Sequence, residues 1–282
     1  MIDRFAKLPS SLAEHARTVR LGARSQIPAL LIHPDWIGPA PTVIWLHGRT
    51  ANKELDAGRY VRWLKNGIAA CAIDLPAHGE RADARSSSNQ HTLEILAETI
   101  PEIDQVTSSL AEPIYQGVFD PDRLAIGGMS LGGMATLRRL CDPHTFRAAC
   151  VECTTGDLNG LYNPPQSDRL SLPQGDERPA RQPTERIRPL DPAQHLATFA
   201  PIPLLALHSE ADRVVPWSIQ HAFLNRLRTH YQSLGSSADL VRIATWPTTG
   251  APGEHSGFGR VGNDAKNLQT DFLAQQLLSA GS

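Results

Sequence analysis

Arg123 to Leu140 reads RLAIGGMSLGGMATLRRL, a stretch with one serine between two pairs of glycines. Leu124, Ala125 and Ile126 form an apolar run suited to a strand, and the residues from Leu131 onward are good helix formers. Within the turn, Gly128 to Gly132 matches Gly-x-Ser-x-Gly, the pattern that lifts a serine hydroxyl out of a sharp strand-to-helix bend. Glycine and serine are common enough that the pattern alone says little. Its setting says more, because small residues two positions either side of Ser130 let the strand and helix backbones approach closely. A glycine-rich turn carrying a solvated serine would not need a strand before it and a helix after it.

Working outward, short apolar runs alternate with helical patterns. RTVRLGA and PALLIHP read as two opening strands, as in a hairpin. TVIWLHG, Thr42 to Gly48, is a continuous apolar run, as expected of a strand covered on both faces. A helix over Ala57 to Asn66 and a strand over Ile68 to Leu75 follow, then the polar loop PAHGERADARSSSN and a helical region from His91 to Tyr115. After Ser130 come the strand AACVEC, the strand PLLALHSE, a helix over Ser218 to Tyr231, the strand VRIATWP and a helix over Ala265 to Leu278. This rhythm predicts one α/β domain over residues 1–282, its mostly parallel central sheet carrying helices on both faces. One segment breaks it. Gly156 to Pro192 carries seven prolines among polar and charged residues, poor material for a helix or strand, and reads as a lid-like insert too short and polar for a core of its own.

Composition narrows the function classes. With 282 residues, 41% of them hydrophobic and 20% charged, the chain has ample material for a large core. A net charge of -2 with no basic run argues against nucleic acid as a partner. No run of 18 apolar residues and no signal-like N-terminal segment occur, so a cytoplasmic protein without a membrane span is expected. Four cysteines are too few for a disulfide scaffold. Cys150 and Cys153 have CxxC spacing, yet they sit in a strand-like run with no second pair or histidine cluster to complete a metal site, and core thiols are the simpler reading. No metal or cofactor is expected, and the oligomeric state stays open.

A serine hydroxyl needs a base, and the base needs an orienting acid. For this turn the chain order is serine, then carboxylate, then histidine. Asp212 follows the strand PLLALHSE, and His255 follows the strand VRIATWP in a loop of small residues. Both therefore belong at the carboxyl ends of strands, where ligands meet parallel sheets. Asp157, beyond AACVEC, is a rival acid, while Glu210 reads as a solvent-facing neighbour of Asp212.

Taken together, TVIWLHG, DLPAHGER, GGMSLGG, LHSEADRVVP and EHSGFG resemble the α/β-hydrolases, in particular the dienelactone-hydrolase and prolyl-oligopeptidase-like serine esterases. The resemblance spans nearly the whole chain and favours Asp212 as the acid. It implies an oxyanion hole from the backbone amides of Arg49 and Leu131, with His47 and Gly48 shaping the first of these loops. It departs from the pattern at His208-Ser209, where relatives often have His-Gly. The implied activity is hydrolysis of a small-molecule ester through an acyl-enzyme, with a peptidase or acyl-aminoacyl hydrolase, a thioesterase or an acyltransferase as alternatives on the same residues, and a non-catalytic ligand-binding relative as a further one. Met129 and Trp217, next to the serine and the acid, are candidate pocket walls. His78 is read as loop-shaping, and Arg81 and Arg85 as a solvated loop face rather than a subsite for an anionic acyl group.

Overall fold

The computed structural model describes residues 8–165 and 179–279. Eight strands make one sheet: β1 (Ala16–Leu21), β2 (Ile27–Ile32), β3 (Ala40–Leu46), β4 (Ala69–Ile73), β5 (Phe119–Met129), β6 (Ala148–Glu152), β7 (Leu204–Ser209) and β8 (Val241–Trp246). Their spatial order is β1-β2-β4-β3-β5-β6-β7-β8. β2 is antiparallel to both of its neighbours, and all pairs from β4 to β8 are parallel. The opening hairpin and the parallel remainder follow the pattern expected from the sequence.

Helices are α1 (Ser10–Ala13), α2 (Ala57–Lys65), α3 (Thr92–Leu110), α4 (Leu131–Arg139), α5 (Leu158–Tyr162), α6 (Thr184–Ile187), α7 (Trp217–Ser233) and α8 (Gly262–Leu278). Continuous apolar strands are explained by two separate cores. Ile44 and Leu46 of β3 join one core with Leu96 and Ile103 of α3, Leu137 of α4 and Phe223 of α7. Val43 and Trp45 of the same strand join the other, with Trp63 of α2 and Phe272 of α8. Because side chains alternate along a strand, this division means helices cover both faces.

The strand order also fixes where a ligand can bind. From β3 the chain steps to β4 on one side, and β5 then lies on the other, so the order reverses at β3. Crevices form beyond the carboxyl ends of strands at such a reversal. The loop 47–49 leaves β3 there, and Ser130 leaves β5 there.

Gly156 to Pro192 differs from its sequence reading. Residues 166–178 of that insert, which include Pro173, lie outside the described residues. The remainder is not irregular: it forms α5, α6 and short 3-10 turns at Arg188–Leu190 and Pro192–Gln194. Pro183, Pro189 and Pro192 fall at helix or turn starts, where the missing amide costs nothing. Asp157 and Asp191 cap the starts of α5 and the second 3-10 turn. Leu158, Leu161, Tyr162 and Ile187 then bury their side chains in the α3/α4/α7 core. Among the described residues, no helix is long and apolar enough to cross a membrane.

Candidate active site

Ser130 sits at the tip of the β5–α4 turn with φ 50° and ψ -114°, a conformation that costs a non-glycine residue about 1–3 kcal/mol. Three hydrogen bonds hold it there. The Ser130 amide donates to Glu152 O at 2.8 Å, and its carbonyl accepts from the Met134 amide at 2.9 Å and from Thr154 Oγ1 at 2.7 Å. The flanking glycines are sterically required. A Cβ on Gly128 would lie 2.4 Å from the carbonyl carbon of Gly132, and one on Gly132 would lie 2.1 Å from Leu46 O.

Residues far apart in sequence meet at this tip. His255 Nε2 lies 2.9 Å from Ser130 Oγ, and His255 Nδ1 lies 2.8 Å from Asp212 Oδ2. The other Asp212 oxygen accepts from the amides of Val214 and Val215, both at 2.8 Å, which fixes the carboxylate plane. Asp212 is 1% exposed, so this ordering is shielded from water. Asp157, the rival acid, instead accepts from the Gly160 amide at 2.7 Å as the cap of α5. Glu210 accepts from Thr245 Oγ1 on the surface.

The loops around this chain are held by His208, singled out in the sequence at the His208-Ser209 departure, and by Glu254, which sequence reasoning passed over. His208 packs beneath the acid, its Nε2 donating to Val215 O at 2.9 Å and lying 3.4 Å from Asp212 Oδ2. Burial lowers its pKa, which keeps the ring neutral. Glu254, directly before His255, gathers the amides of Thr249 and Gly250 and the hydroxyls of Thr249 and Ser209. Those donors, the Thr249 amide foremost, pull its pKa down to about 2. The only advance signal for Glu254 was its position directly before His255.

On the opposite side, His47 Nδ1 donates to Gly48 O at 2.6 Å while its Nε2 accepts from the Leu75 amide at 3.1 Å. Full burial drives its pKa down to about 4, so the ring is a neutral brace between two loops. Gly48 lies close beside the turn, as a Cβ there would come 3.5 Å from Ser130 Cβ. The Arg49 amide has no protein acceptor among the described residues. The Leu131 amide opens α4, where no carbonyl of the same helix is placed to receive it.

The pocket at Ser130 is walled by Arg49, Asn89, Thr92, Leu131, Met134, Leu161, Tyr162, Pro179, Val214 and Val215. Neither expected wall residue is among them. Met129 lies on β5 in the alternation that faces the α2/α8 core, across the sheet from the pocket's apolar lining. Trp217 opens α7 and stacks on His221, with ring centroids 5.0 Å apart. Arg81 and Arg85 are tied to carboxylates of their own, Arg81 to Glu102 and Arg85 to Asp83, Glu94 and Glu98.

All four cysteines are free and buried. Cys153 Sγ comes within 4.8 Å of ligand atoms of Asp212 and His255, the one such grouping among the described residues. Asp212 and His255 already satisfy each other by a hydrogen bond, and the grouping needs no metal to explain it.

Residues 99–278 match the family described as the prolyl oligopeptidase family. The chain belongs to the prolyl oligopeptidase family. This bears out the resemblance read from the motifs. Esterase YjfP of Escherichia coli K12 is 30% identical to this family member over 203 residues, 68% of this chain and 77% of that protein. Among solved structures, a Thermus thermophilus protein superposes with a TM-score of 0.66 at 22% identity, covering 94% of this chain and 99% of that one. The acylaminoacyl peptidase of Pyrococcus horikoshii superposes with a TM-score of 0.69 at 18% identity, covering 95% of this chain and 42% of that longer one. These likenesses support the α/β-hydrolase fold, and the family and the esterase relative mark the chain as a hydrolase.

Proposed function

We propose that this hydrolase cleaves carboxylic esters of small to medium size, with Ser130 as nucleophile, His255 as base and Asp212 as the group that orients and charge-stabilises the imidazole. The observation that carries the reading is the unbroken chain from Asp212 Oδ2 through His255 to Ser130 Oγ, with links of 2.8 and 2.9 Å.

As Ser130 Oγ forms its bond to the carbonyl carbon, its proton passes to His255 Nε2, and the carbonyl oxygen becomes an oxyanion received by the amides of Arg49 and Leu131. Collapse of the tetrahedral intermediate expels the alcohol, which takes the proton from His255, and leaves an acyl-enzyme. Water then gives a proton to His255 as its oxygen attacks the acyl carbon, and the second collapse releases the acid and restores Ser130. The chain acts in this scheme as a single catalytic unit, its 156–192 insert lending Leu161, Tyr162 and Pro179 to the pocket wall.

Ser130→Ala abolishes labelling by a fluorophosphonate probe, and mass spectrometry of the wild type places the tag on the Ser130 peptide; labelling that persists in the variant removes Ser130 from the mechanism. Asp212→Asn lowers kcat by about 10⁴-fold, because the imidazole is no longer held in the required tautomer. The likeness to an acylaminoacyl peptidase favours amide cleavage as the second reading. Parallel assays of p-nitrophenyl esters and aminoacyl amides separate the two, and a clear preference for amides defeats the ester reading.

A further inference from the structure

We propose that the Arg49 guanidinium is a recognition site for a carboxylate on the substrate, so that the favoured substrates are esters that also carry a carboxylate a short chain away from the scissile carbonyl. This deepens the ester reading above and rests on it.

Arg49 supplies the only charged side chain among the described residues that line the pocket at Ser130. Its guanidinium is anchored wholly by neutral oxygens. Nη1 donates to Thr92 Oγ1 at 3.1 Å, and Nη2 donates to the carbonyls of Arg85, Ser86 and Ser88 at 3.3, 2.7 and 2.8 Å. Nε has no acceptor among the described residues, and Nη1 has one N–H to spare. Other inward-lying arginines are treated differently: Arg59 meets Glu152, Arg81 meets Glu102, and Arg139 meets Asp104. Arg49 is half-buried and meets no carboxylate among the described residues.

Burial disfavours the Arg49 charge and pushes its pKa down, with the adjacent Tyr162 hydroxyl acting weakly the other way. A ligand carboxylate would offset that desolvation, since guanidinium and carboxylate pair through two parallel hydrogen bonds. Placement favours this use. The backbone of Arg49 borders the expected oxyanion position, and its side chain runs to Thr92, which shares the pocket wall with Tyr162 and the exposed Asn89. Met134, Leu161, Val214 and Val215 supply apolar surface that suits a methylene spacer. The carboxylate could reside in either half of the ester.

The test uses two matched pairs of esters on the full chain. One pair is the p-nitrophenyl hemiester of glutaric acid and its methyl-capped neutral counterpart, with the charge in the acyl half. The other is 4-carboxyphenyl butyrate and its methyl ester, with the charge in the leaving half. Wild type is expected to favour the anionic member of one pair in kcat/KM, and Arg49→Gln is expected to lower that preference by about ten- to a hundredfold. Arg49→Lys falls between them, because it keeps the charge and loses the fork. Free glutarate should also inhibit wild type competitively and more strongly than butyrate, a measurement that needs no variant to fold. Preference for the neutral member in both pairs, or an Arg49→Gln variant that slows both members of each pair equally, overturns the proposal and leaves the guanidinium as a staple of residues 85–88. Either result with the neutral esters still cleaved leaves the ester reading standing. Failure to cleave any of the four esters overturns the ester reading, and the proposal with it.

Discussion

Two arginines lie at the carboxyl edge of the sheet, and the protein handles their charges in opposite ways. Arg59 is buried beneath the elbow. Its two terminal nitrogens meet the two oxygens of Glu152 at 2.8 and 2.9 Å, and its guanidinium lies 4.1 Å from the Trp45 ring centroid. Gln269 donates to the same carboxylate at 3.0 Å. Arg49, across the turn, is held in place by carbonyls and a hydroxyl that orient it without neutralising it. A charge matched by its own protein serves the fold; one that is oriented and unmatched remains available to a ligand.

The contrast can be broken from either side. The largest effect is expected from Glu152→Ala, which removes the bidentate partner of the buried Arg59, leaves it only the longer 3.6 Å approach to Asp56, and should cost about 3–5 kcal/mol in urea unfolding. Replacing both partners together, as Arg59→Met with Glu152→Leu, should recover most of that loss, because an apolar pair of similar volume avoids the desolvation of both ions. A double variant as unstable as Glu152→Ala would show that the pair does more than neutralise itself. Arg49→Gln should cost only about 1 kcal/mol by the same measurement, the net worth of a few hydrogen bonds to neutral acceptors.

Glu254 offers the smallest and most pH-specific effect. Its folded pKa of about 2 lies below the ordinary 4.5, so its support of the His255 loop is complete above about pH 4.5 and is lost as pH falls toward 2. Urea titrations between those limits should show wild type losing stability that Glu254→Gln never had; parallel curves for the two proteins would refute this.

Most of the fold was legible because parallel strands covered on both faces announce themselves as continuous apolar runs, and the helices between them by composition. Ser130, Asp212 and His255 were legible as a spacing of motifs, each at the end of such a run. The walls were not. Met129 sits next to Ser130 in sequence, but the alternation along β5 sends it to the far core, while Leu161 and Tyr162 reach the pocket from one short helix hidden in a proline-rich segment. The Arg59–Glu152 pair joins residues 93 positions apart, and its one trace was a carboxylate inside the otherwise apolar AACVEC.

His47, described above as a brace, has a consequence for proton transfer. Together with His78 and His208 it is kept uncharged by burial, with His47 neutral down to about pH 4. Three of the four imidazoles around Ser130 are therefore held uncharged, and in the proposed mechanism only the fourth, His255, takes up a proton. In that mechanism the proton leaving Ser130 has one ring to go to, and no second imidazolium competes with it for the Asp212 carboxylate.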